Sequence, residues 1–325
     1  MPNWMARMLK RHARLAPRAA TPRRTDPGVA APLATPPDDE VATVDLARDF
    51  LPWLLHGATP PERPLDAAER LTLERLDALL RNDQIGADLL PRAPAVVPQL
   101  LGMLRLENLS WRSMSQRIAA DLVLSAEVLR QAGNAAYGTR NDPARPCNLD
   151  QALARLGSDD LKAVIARVVL RPLFAVSGTG LAARSAARAW EHAERQAQHG
   201  ARLAATHGLD RLDAYLAALV HGGSWTMLTH AVDRIQGGPP LAWPFGLPFV
   251  RQMLQRKDAL FGRVVAGWRL TPGLTALCAE ATHAPLAETR GPLGPLLAQA
   301  EQRAAADALA LQRAAAAIRA AMAFA

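Results

Sequence analysis

The sequence predicts an all-α protein, an irregular multi-helix bundle in two helical halves. Three observations point there. Alanine and leucine dominate while aromatics make up only 5% of 325 residues, a composition that favours helix over sheet. Apolar residues recur at three- and four-residue spacing, and no run of alternating strands is found. Helix stop and start signals follow one another closely from residue 90 onward. A hydrophobic content of 50% with 21% charged residues fits a globular chain with ample length for a core. Cys147 and Cys278 lie far apart and give neither metal spacing nor a disulfide framework, so a reducing cytoplasm is the expected location. No apolar run approaches the length of a membrane span.

Residues 1–15 form an amphipathic helix on paper. Trp4, Met5, Met8, Leu9 and Leu15 fall on one side, and Arg7, Lys10, Arg11 and Arg14 on the other. That pattern suits peripheral contact with an anionic membrane or an acidic partner; the alternatives are a solvated, disordered basic tail or an organellar transit peptide. Residues 1–25 hold seven basic side chains and no acid, out of a net charge of +8. Without them 31 basic and 30 acidic side chains remain. The folded part is thus nearly neutral, which argues against nucleic acid as its ligand.

Residues 16–40, rich in Pro, Ala and Thr, read as a linker. Residues 41–56 make a short helix interrupted at Pro52. Residues 66–81 make a good one, with Asp66 as N-cap and Leu73, Leu76 and Leu80 on one stripe. Further helices are expected over 95–106, 113–120 and 122–132, with Asp121 as a cap and Gly133-Asn134 as a stop. Helices 149–156 and 159–170 flank Gly157-Ser158. Ser177-Gly-Thr-Gly180 reads as a hinge before a long helix over 181–205, which ends at His207-Gly208. Another helix runs to His221, and helices at 249–268 and 273–283 follow a Pro/Gly-rich loop carrying Trp243. An alanine-rich C-terminal helix closes the chain. The expected segments are 1–40, 41–86, 87–285 and 286–325. Because the apolar content of the last helix is mostly alanine, it is a poor anchor, and a homodimer through it is only one option.

Three stretches, in order and at matching spacing, resemble the HDOD domain, the HD-related output domain of bacterial signalling proteins. Leu90-Pro-Arg-Ala-Pro-Ala-Val-Val97 is similar to "LPPLPxVV". Ile118-Ala-Ala-Asp121 with Val128-Leu-Arg-Gln-Ala-Gly-Asn-Ala-Ala-Tyr-Gly138 is similar to "I..DP…LLRLANSAYYG". Gln151-Ala-Leu-Ala-Arg-Leu-Gly157 is similar to "QAIxxLG". A weaker fourth match takes in Trp190-Glu-His192, His221-Gly222, Trp268 to Pro272, and His283, so the resemblance spans about 87–285. It implies an HD-like helical bundle and a non-catalytic, cytoplasmic signal-transduction role exerted through protein–protein contacts.

The departures matter most. Where HD-type phosphohydrolases carry His-Asp, this chain has His221-Gly222, and Lys257 aligns loosely with a later histidine. Imidazoles need an anionic oxygen beside them to hold a metal tightly, and glycine supplies none. His192, His221 and His283 are therefore vestigial metal candidates; no catalytic residue, cofactor or metal is expected. The rival reading keeps those three histidines at work in a divergent metal-dependent phosphohydrolase acting on a nucleotide or cyclic dinucleotide. Asp213, the nearest acid on the His221 helix, is expected to face solvent near the helix start. Trp225, Trp243 and Trp268 are read as buried packing before contact surface.

Overall fold

Side-chain caps set where several of the helices begin. In the computed structural model, which describes residues 43–82, 85, 89–90, 98, 111–133, 148–235 and 241–323 (with no account of the side chains of 111–114 and 323), helix follows helix, and no strand occurs among the described residues. The basic segment with Arg7, Lys10, Arg11 and Arg14, and the expected helix at 95–106, lie outside them. Residues 41–325 form one compact unit.

A π-helical turn, Leu46–Phe50, runs directly into α1, Leu51–Leu54. Pro52 does not interrupt this segment as expected; it occupies the first turn of α1, where a proline forfeits no hydrogen bond. In α2, Ala67–Leu80, the Asp66 carboxylate accepts from the Glu69 amide and the Glu69 side chain accepts from the Asp66 amide, a closed capping box. Glu69 is buried and also takes a bidentate pair from Arg63 at 2.8 and 2.9 Å and the Gly246 amide at 2.8 Å. It ties three segments together.

Helix α3, Trp111–Ala119, precedes α4, Leu122–Ala132, which Asp121 caps through the Leu124 amide. Helix α5, Leu149–Phe174, is two helices joined at Gly157, whose φ of 74° suits glycine. Helix α6, Leu181–His207, has no cap from its own sequence. Asp233 supplies one from across the fold, accepting from the Leu181 and Ala182 amides at 2.9 Å each. Gly208, in the left-handed conformation, ends it. Then come α7, Arg211–Gly222, α8, Ser224–Arg234, α9, Leu247–Gln255, α10, Lys257–Val265, and α11, Pro272–Ala281. Helix α12, Leu293–Ala323, completes the fold.

The core lies around α6, which packs along α7, α8 and α12. The contribution of α12 differs from expectation. Its first half buries Leu296, Leu297, Ala300, Ala304, Ala305 and Ala308. Alanine buries little area per residue, but it lets backbones approach closely, so many small contacts anchor the helix where few large ones were available. Its last turns are exposed, with Leu311, Ile318 and Met322 facing outward. Trp225 and Trp268 are buried and Trp243 partly so.

Candidate functional site

Helices α6 and α7 meet along a seam of small residues. A Cβ placed on Gly222 would lie 2.5 Å from the Ala193 Cα and 2.6 Å from its Cβ. One placed on Gly200 would lie 2.8 Å from the Ala218 Cβ. Carbon atoms in van der Waals contact sit near 3.5–4.0 Å, so neither position holds a side chain while the helices stay where they are. The glycine after His221 is thus a packing requirement as well as an absent carboxylate. An aspartate at 222 would point into the backbone of α6.

His221 is fully buried and bonded on both ring nitrogens. The Gln196 amide nitrogen lies 2.8 Å from Nδ1 and 3.4 Å from the Leu297 carbonyl. Donating to both, it leaves Nδ1 as acceptor and places the ring proton on Nε2. That nitrogen faces Asp258 Oδ1 at 3.2 Å. The Phe261 ring stands edge-on to the imidazole, 5.0 Å between centroids.

Two carboxylates reach this point from elsewhere in the chain. Asp258 comes from the first turn of α10, and Glu301 comes from α12. Between them sits the Lys257 ammonium: 2.7 Å from Glu301 Oε1, 3.3 Å from Asp258 Oδ1 and 3.2 Å from His221 Nε2. The Trp225 indole N–H donates to the same Glu301 oxygen at 2.9 Å, and the ammonium lies 5.3 Å from the Trp225 ring centre. Asp258 Oδ2 accepts from the Leu286 amide at 3.0 Å. The register of Lys257 and Asp258 is fixed one residue earlier. Arg256, the single residue between α9 and α10, forks onto Asp77 of α2 at 2.6 and 2.8 Å.

The charges tune one another. Burial alone raises the Asp258 pKa, but the Lys257 ammonium, the His221 hydrogen bond and the Leu286 amide more than offset it. Its carboxyl stays well below the usual carboxylate range. Burial alone lowers the Lys257 pKa; Glu301 and Asp258 outweigh that, and the ammonium is held charged. The centre therefore keeps a buried cation between two carboxylates.

The other expected residues fall differently. His192, on α6, is fully buried between Phe50 and Trp225, with ring centroids at 4.5 and 6.3 Å. Neither of its nitrogens has a partner among the described residues. Burial, then the nearby Lys257 and His221, hold its pKa well below 6.5, so the ring is neutral. His283 is exposed beyond the end of α11. His199 pairs with Asp307 at 2.7 Å and takes no part in the centre. Asp213 does not face solvent as expected: it is half-buried, accepts from the Thr271 hydroxyl and lies against Gly273. The start of α11 packs over it, and burial raises its pKa.

Sequence reasoning missed Gln196, Asp258 and Glu301 as a group. One signal was available. Glu301 interrupts the apolar stripe Leu297, Ala300, Ala304, Ala308, where a carboxylate has no place unless something inside receives it.

As they stand, these donors do not fit a metal. Among the described residues no three His, Cys, Asp or Glu side chains are arranged to hold one. The space facing His221 Nε2, Asp258 and Glu301 is filled by an ammonium, and position 222 admits no ligand. Nor is any helix among the described residues long and apolar enough to cross a membrane.

Comparison with known proteins identifies the family through one profile match. The profile of the HDOD domain matches residues 90–282. Among solved structures, a protein from Shewanella amazonensis that carries the provisional name metal-dependent phosphohydrolase aligns with a TM-score of 0.52 at 18% identity. The match covers 72% of this chain and 82% of that one. An HDOD domain protein with unknown function from Geobacter sulfurreducens aligns with a TM-score of 0.41 at 20% identity, over 76% of this chain and 97% of that one. No curated protein matches.

Proposed function

The chain belongs to the HDOD domain family, and from that premise we propose that it is a non-catalytic regulatory module that works through protein–protein contacts. The observation that carries this reading is the α6–α7 seam. Gly222 stands where an HD-type phosphohydrolase would carry its aspartate, and the helices are too close there for any side chain. The metal-ligating function has been exchanged for packing. Here His221 stands beside a lysine ammonium.

Surface chemistry supports contact as the mode of action. Leu122 and Val123, adjacent at the start of α4, are 83% and 67% exposed. Single exposed apolar residues are ordinary, but a bulky neighbouring pair, with exposed Leu129 about two turns further along the same helix, offers an apolar anchor for a partner. The partner is expected to be a cytoplasmic signalling protein. The basic segment with Arg7, Lys10, Arg11 and Arg14 would add attachment to an anionic surface.

The test is an assay of the purified full chain against a phosphomonoester, nucleotides and a cyclic dinucleotide with zinc, manganese or iron added. No turnover above buffer is expected, and turnover abolished by His221→Ala overturns the proposal in favour of the hydrolase reading. Binding to vesicles containing phosphatidylserine, compared before and after deletion of residues 1–25, tests the basic segment. Tail-dependent binding that weakens with salt is the expected result.

A further inference from the structure

Three side-chain atoms surround the Lys257 ammonium: Glu301 Oε1 at 2.7 Å, His221 Nε2 at 3.2 Å and Asp258 Oδ1 at 3.3 Å. They come from three helices, and each is oriented by a second contact. Gln196 bonds the far side of the imidazole, the Trp225 indole bonds Glu301, and the Leu286 amide bonds Asp258. One imidazole and two carboxylates are a donor set that borderline divalent ions take readily. Such side chains, fixed from behind in this way, are what a metal centre requires of its surroundings. Here the cation they surround is covalently part of the chain.

We propose that the Lys257 ammonium is a built-in cation seated in a latent divalent-metal site made by His221, Asp258 and Glu301. Glu301 is what makes the site this chain's own. It lies on α12, beyond the HDOD match at 90–282, and restores a carboxylate to a centre that Gly222 denies one. The lysine supplies the positive charge a metal would, at the same place, without the open coordination position that chemistry needs. Remove it and the pocket holds two carboxylates with nothing to balance them. That is a demand for a cation, and the donors need close by only about 1 Å to reach zinc bonding distances of about 2.0–2.2 Å. The Gln196 carbonyl oxygen, buried and without a partner among the described residues, is placed to help. Rotation of that amide turns an acceptor toward Nδ1, which moves the ring proton there and frees Nε2 for a metal.

The inference rests on the reading that the native centre is not a working metal site, and its test is separate from any activity. The full-length wild type, Lys257→Ala and the double variant Lys257→Ala/Glu301→Gln are purified free of metal. Zinc binding is then measured by calorimetry and by metal content after desalting, and the melting temperature is read with and without zinc. Zinc held by surface histidines appears in all three and is subtracted. The expected result is one additional zinc per chain in Lys257→Ala alone. Its melting temperature starts below that of the wild type and rises with zinc, while the wild type does not respond. The double variant should bind at least tenfold more weakly. A wild type that retains an equivalent of zinc at this centre overturns the proposal. So does a Lys257→Ala protein that folds and takes up none, or one that stays unfolded even when refolded with zinc present. Turnover by the wild type would count against the non-catalytic reading and leaves the zinc comparison to be judged on its own outcome.

Discussion

His192 and His221 sit on adjoining helices, both fully buried, and the residue after one touches the residue after the other: Ala193 against Gly222. Their situations are otherwise opposite. His221 has bonds on both nitrogens and stands in a ring of charge. His192 has no partner on either nitrogen among the described residues and is packed between aromatic rings. One imidazole is held for its polarity and the other for its shape. The same residue type serves two uses in one fold. What separates them is whether a carboxylate from elsewhere in the chain arrives beside the ring.

The comparison can be broken most violently at the contact between them. Gly222→Asp should cost more than about 4 kcal/mol, enough to abolish cooperative folding, because it combines overpacking with an unpaired buried carboxylate. Circular dichroism and a urea titration would show it. Gly222→Ala, which adds one methyl to the same seam, should cost about 1–3 kcal/mol and leave the fold intact.

Exchanging the histidines themselves is the next sharpest measurement. His221→Leu removes a partner from Gln196 and from Asp258 and should lower stability by about 2–3 kcal/mol, read as a fall in urea midpoint at constant slope. His192→Phe keeps an aromatic ring and removes two unbonded polar atoms. It should cost less than about 1.5 kcal/mol and could stabilise the protein, since nothing is left unpaired. Equal losses in the two variants would end the distinction drawn above.

The last measurement is one of pH, where the effect is spread over more than a unit. His192 is neutral in the fold, its pKa held well below 6.5. The unfolded chain binds a proton there below that value and the folded chain does not, so acid favours unfolding. Stability should fall as pH drops below 6.5, by up to about 1.4 kcal/mol per unit from this group, until the folded-state pKa is reached. His192→Phe should flatten the dependence by that amount between pH 6.5 and 5. An unchanged slope would mean that the ring protonates freely and is not sealed.

Much of this molecule was legible from its residues. The caps at Asp66 and Asp121, the stop at Gly208 and the break at Gly157 are local events, written in the few side chains that make them. What sequence spacing hid was long-range. Asp233 caps a helix that starts 52 residues earlier, and Glu301 meets Lys257 across 44 residues. Neither pairing leaves a periodic signal, because each is decided by how helices pack. Reading Gly222 only as the absence of an acid left out its geometry: a glycine that lacks a carboxylate and a glycine that close packing requires look identical in one letter. The alanine-rich tail misled in the same way, since alanine signals weak burial per residue and says nothing of how closely two backbones can run.

That closeness bears on what redesign of this centre can reach. An aspartate introduced at 222 would set its Cβ 2.5 Å from the Ala193 Cα, a main-chain atom that no substitution at 193 can trim away. Admitting it needs α6 and α7 to separate, at the expense of the seam from Gly200 to Gly222 and everything packed behind it. A point change at that position is therefore also a change in helix spacing.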